Sequence, residues 1–132
     1  MSKLDENSVK LLREKNFAFL ATVDAKGGPQ VTPIWIDSDG EYVLLNTAMG
    51  RVKQKNTMRD PRVAVVVLDM SNPYRYAGIR GRVVEQIPGQ TAEDHIDKLA
   101  KKYLGKDKYP FRQAGEKRVI LKIVPERITP PQ

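Results

Sequence analysis

Apolar positions along the chain fall into short runs separated by breaks rich in glycine, proline and aspartate, a rhythm that predicts more strands than helices. Asp5–Lys15 is the first exception. Leu4, Val9 and Leu12 have weak helical spacing, and Asp5 is placed to cap a first turn. Phe17–Val23 is apolar on both faces, as in a buried strand, and Asp24–Gly28 is a turn. Gln30–Ile36 and Glu41–Thr47 are β-rich and flank the turn Asp37–Gly40, so the pattern predicts a three-strand meander. Pro33 has no N–H for a ladder and places its strand at an edge or a bulge.

Gly50–Arg59 is polar, basic and compatible with a helix that Asp60-Pro61 ends. Arg62–Leu68 is a strong strand, Asp69–Pro73 a loop, and Tyr74–Val84 a long strand whose glycines predict a bend or bulge. Pro88-Gly89 breaks the chain again. Thr91–Leu104 carries the clearest helical period, with Ala92, Ile96, Leu99, Ala100 and Tyr103 on one face. Thr91 and Asp94 resemble a capping box, and Gly105 is a natural stop. A polar loop, Gly105–Gly115, leads to a last strand, Arg118–Val124, and a proline-marked tail. The expected architecture is mainly β with flanking helices: about six antiparallel strands in a closed or nearly closed barrel. Residues 1–132 read as a single domain.

Composition narrows the chemistry. With no cysteine among 132 residues, disulfides, thiolate metal sites and thiol catalysis are excluded. The single histidine, His95, makes no histidine metal site alone; beside Asp94 and Asp97 on an amphipathic helix it reads as a surface or half-buried structural residue. No metal is expected. No apolar run reaches the roughly 20 residues that span a bilayer, and the opening residues lack a signal-peptide core, so a cytoplasmic protein without a membrane partner is expected. The formal charge of +7 favours anionic partners.

Much of that charge sits in one place. Arg51, Lys53, Lys55, Arg59 and Arg62 lie within twelve positions, in and just after the predicted second helix. A helix start offers free N–H groups and a positive dipole end, Gly50 admits close approach, and Arg and Lys bind phosphate oxygens. A P-loop is absent, and Gly78–Val83 has glycines too closely spaced for a dinucleotide fingerprint. The charges are not laid along an aromatic sheet, so no nucleic-acid partner is expected.

The run Gly50-Arg51-x-Lys53-x-x-Asn56-x-x-x-Asp60-Pro61-Arg62-Val63, with its flanking strands from about Asn16 to Glu85, resembles the pyridoxamine 5′-phosphate oxidase-like split β-barrel superfamily. The short chain and Gly-Arg-x-Lys start look most like the branch that uses the deazaflavin coenzyme F420; FMN is the alternative cofactor. The resemblance implies a homodimer with cofactor sites at the interface, and reduction of an electron-poor small molecule by hydride transfer. It implies that Arg51 and Lys53 hold the cofactor phosphate, with Asn56 in the same region. Gln30, Thr32, Pro33, Asn46 and Thr47 would lie along the ring system and ribityl chain, and Tyr74 and Tyr76 would come from the partner subunit. Trp35 and Phe17 read as core or interface packing. The proton for a reduced substrate would come from solvent or a tyrosine; no catalytic residue stands out. A non-enzymatic cofactor carrier is the remaining alternative.

Overall fold

The computed structural model describes residues 2–132. Helix α1 (Glu6–Arg13) leads into β1 (Phe17–Val23), β2 (Pro29–Ile34), β3 (Ile36–Ser38) and β4 (Val43–Ala48). Helix α2 (Val52–Arg59), β5 (Arg62–Asp69), β6 (Asn72–Pro88), α3 (Gln90–Leu104) and β7 (Arg118–Thr129) follow. The strands form one antiparallel sheet in the order β2-β1-β5-β6-β7-β4-β3.

That order overturns the predicted meander. Gln30–Ile36 is not one strand: β2 and β3 lie at opposite ends of the sheet order and are joined by Trp35 alone. One extended residue spans about 3.3 Å, so the two sheet edges meet at this corner and the sheet must curl. The result is a split β-barrel of seven strands rather than six. β2 is indeed an edge strand, which accommodates Pro33. Closure puts Ala18, Leu20, Ile36, Leu45, Val65, Val67, Ile79 and Leu121 in a common interior, with Leu11 and Leu12 of α1 packed onto it.

Local chemistry explains most boundaries. Asp5 caps α1 by accepting from the Ser8 N–H at 3.0 Å. α3 ends at Gly105, whose φ of 72° is left-handed. Its start differs from expectation: the N-cap is Gly89, with no side-chain cap, and Thr91 already lies inside the helix. Asp69–Pro73 is a tight hairpin rather than an open loop, since Asp69 pairs with Asn72. β7 continues through Pro125 to Thr129, five residues beyond Val124. The extension survives because the β6–β7 register shifts between Arg80 and Gly81, opposite Pro125. Gly81 is obligatory there: a Cβ would lie 2.1 Å from the Val124 carbonyl oxygen.

A second apolar cluster lies under α3, where Ile96, Leu99 and Tyr103 meet Trp35 and Tyr109. Trp35 stacks on Tyr103 with centroids 5.3 Å apart. The predicted polar loop therefore has an aromatic lining. His95 is not a surface residue; it is buried at 9% exposure. Burial follows from β3 and β4, which bring Asp37 and Asn46 against the α3 face that carries it. Among the described residues, no helix is long and apolar enough to cross a membrane.

Candidate cofactor site

The basic helix opens onto a groove. Helix α2 begins after Gly50, whose φ of 88° requires glycine and whose Cβ position faces open space. Arg51 is the N-cap and makes no side-chain cap bond, and no acidic residue occupies the first turn. The first helical bond runs from the Lys55 N–H to the Arg51 carbonyl at 3.0 Å. The N–H groups of Val52, Lys53 and Gln54 thus head an uncapped helix whose dipole end is positive. Gln54 turns back to accept the Gly50 N–H at 2.9 Å, which fixes the entry turn.

Lys53 lies half-buried beside this end, and no carboxylate among the described residues pairs with it. Burial, then the charges of Arg51 and Arg118, hold its ammonium below the ordinary lysine range. Arg51 and Arg118 share one carboxylate oxygen, Glu116 Oε1, at 2.9 and 3.1 Å. Two of the three cations therefore share one acid while Lys53 has none, and the local excess is positive.

Two lobes meet at Arg51 and Lys53. The first, about 370 Å³, runs between Pro33 and Ile34 of β2 and Asn46 and Thr47 of β4, with Phe17, Trp35, Tyr109 and Phe111 as an aromatic wall. The second, about 360 Å³, is lined by Thr22, Gln30, Thr32 and Gly50. Thr47 lines the first lobe at 1% exposure, and its buried Oγ1 has no hydrogen-bond partner. An unpaired buried hydroxyl, an uncapped helix start and an unpaired ammonium together fit a ligand with an anionic end and a polar chain leading to a ring.

The structure brings together Arg51, Lys53, Gln30, Thr32, Pro33, Asn46 and Thr47 along these lobes. Asn56 stands behind them, 4% exposed. Its Nδ2 donates to Thr22 Oγ1 at 3.0 Å and its Oδ1 accepts from Arg59 at 2.9 Å, so it ties α2 to β1. Tyr74 and Tyr76 do not reach the lobes of the same chain; they stand 94% and 43% exposed on β6. Trp35, which packs on Tyr103, and Phe17 both line the cleft.

Arg118 escaped the sequence reading. It is 3% exposed, donates from Nε to Asn46 Oδ1 at 2.8 Å, and lies 5.1 Å from the Tyr109 ring centroid. Burial lowers its pKa from the ordinary arginine value, with Glu116 opposing. An arginine opening the apolar run RVILKIV was the available signal; its partner, Ala48 on β4, is far off in sequence.

A split barrel with a basic helix start at the mouth of an aromatic-walled cleft defines a protein of the flavin-like cofactor-binding class. The chain belongs to the pyridoxamine 5′-phosphate oxidase family, whose model matches residues 4–130. A solved F420 reductase is 32% identical, with a TM-score of 0.81 over 96% of this chain and 98% of that one. A conserved hypothetical protein of Mycobacterium tuberculosis is 25% identical, with a TM-score of 0.67 over 97% of this chain and 82% of that one. General Stress Protein 26 of Bacillus anthracis shares the fold at 17% identity, with a TM-score of 0.69 over 93% of this chain and 89% of that one. No curated protein matches the chain.

Proposed function

We propose that the protein is an F420-dependent reductase that passes hydride to an electron-poor small organic molecule. One observation carries the choice of cofactor: the F420 reductase is 32% identical across nearly both whole chains. The site supports the reading independently. Lys53 and the first-turn N–H groups of α2 would hold the phosphate, and Arg51 would close over it. Thr47 would donate its unpaired hydroxyl to the chain or ring edge in the first lobe. The aromatic wall of Trp35, Tyr109 and Phe111 would orient the ring and exclude water. F420, when bound, supplies hydride from one ring carbon, and the protein supplies position and a dry environment. FMN is the competing ring, on the strength of the family.

The outer face completes the proposal. Tyr76, Leu68 and Phe17 form one cross-strand row over β6, β5 and β1, and Pro33 sits opposite Phe19 on β2. Phe17 and Val31 are 59% and 62% exposed. This apolar face is continuous with the cleft through Phe17 and Pro33, so a second copy of the chain would cover it and bring Tyr74 and Tyr76 to the site. Absorbance and fluorescence titrations with F420 and FMN test the cofactor. Saturable F420 binding at low micromolar concentration, tighter than FMN, is expected; binding of neither ends the reading. Sedimentation tests the dimer.

A further inference from the structure

His95 and Asn46 form a link that runs from the cleft into the protein. Asn46 is held by partners that each act in one direction. Its Oδ1 accepts from Arg118 Nε at 2.8 Å, and its Nδ2 donates to the Ala92 carbonyl at 2.9 Å. An arginine only donates and a carbonyl only accepts, so the amide orientation is fixed. The second Nδ2 hydrogen then meets His95 Nδ1 at 3.2 Å, and that nitrogen must be the acceptor. The ring proton is therefore on Nε2, which lies 3.6 Å from Asp37 Oδ2.

We propose that His95 is a positioning residue for Arg118: in its neutral, Nε2-protonated form it holds the Asn46 amide on the Arg118 guanidinium, and protonation of the ring breaks that hold. A doubly protonated ring places an N–H against the Asn46 N–H. The conflict is relieved when the Asn46 amide draws away from the ring, which loosens the acceptor it presents to Arg118. Of the two side-chain acceptors of Arg118, only Glu116 is then undisturbed.

Charges of both signs stand around the ring. Asp37 faces Nε2, and Lys98, 3.6 Å from the same Asp37 oxygen, and Lys102 stand beside it. Arg118 is reached through Asn46, and Glu93 accepts the Arg118 backbone N–H at 2.8 Å. The titratable group of the link is thus a residue that lines neither lobe. Its functional consequence rests on the cofactor reading, because Arg118 lines the proposed ring lobe.

The chain has one histidine, so the imidazole signals of the ¹⁵N-labelled protein assign themselves. Long-range ¹⁵N–¹H correlation spectra near neutral pH are expected to show a bare Nδ1 and a protonated Nε2. The Arg118 Nε–H resonance, assigned with Arg118→Lys, is expected to shift in step with the His95 titration in the wild type and to stay still across it in Asn46→Ala. A protonated Nδ1 at neutral pH, or an Arg118 signal indifferent to the His95 titration in the wild type, overturns the proposal. These readouts need no ligand and judge the link alone. Absence of binding by F420 and FMN defeats the functional reading instead.

Discussion

Replacing Lys53 with alanine separates binding from folding. In the free protein Lys53 is half-buried, faces Arg51 and Arg118, and has no carboxylate partner among the described residues; burial and these like charges both depress its pKa. Its charge therefore works against the fold at neutral pH, while its methylene stem contributes some packing. The two effects oppose, so the unfolding free energy of Lys53→Ala should stay within about 1 kcal/mol of wild type. Cofactor binding should respond differently. Loss of a hydrogen bond to a charged phosphate costs about 1.5–3 kcal/mol, which is roughly a 10- to 150-fold rise in Kd. Fluorescence titration with F420 gives the Kd, and urea unfolding of the free protein gives the stability. Equal affinity in wild type and mutant refutes the phosphate role. A large stability loss alongside weaker binding refutes the claim that Lys53 is held ready for a ligand.

Three other perturbations probe the frame around the site. Gly50→Ala keeps open space around its Cβ but forces a side chain to φ 88°, so urea unfolding should show a loss of about 1–2 kcal/mol. Gly81→Ala drives a Cβ to 2.1 Å from the Val124 carbonyl oxygen, and calorimetry should show a loss of at least about 3 kcal/mol or no folded protein. Lys102 donates to the Leu12 and Ile36 carbonyls, and burial lowers its pKa from 10.5 to about 8. The unfolded chain then binds more protons between these values, so Lys102 adds stability as the pH rises from about 8 toward 10.5. The difference in urea stability between wild type and Lys102→Met should grow over that window, and a flat difference contradicts the shift.

Local features were readable and distant ones were not. The buried face of α3, the Asp5 cap, the Gly105 stop and the basic start of α2 each depend on residues within a few positions of one another. Trp35 defeated the pattern because Ile34-Trp35-Ile36 is continuously apolar, and periodicity does not register a corner that carries the chain between sheet ends. Pro125 hid the end of β7, since a proline inside a strand is tolerated at an edge or a bulge, and this bulge shows only in the pairing with β6. In the site, Gly50, Arg51 and Lys53 are neighbours and their chemistry shows in the sequence. Arg118 joins them only through the β4–β7 ladder, where Ala48 pairs with Arg118. His95 reads in sequence as surface or half-buried because its own helix places acids beside it, while Asp37 and Asn46 reach it from β3 and β4.

The most direct measurement is a crystal structure of the F420 complex. The phosphate should lie within hydrogen-bond distance of Lys53 Nζ and of the N–H groups heading α2, with the ring against Trp35 and Thr47 Oγ1 bonded to the cofactor. A phosphate bound elsewhere, with Lys53 still unpaired, contradicts the assignment of this helix start as the cofactor's anchor.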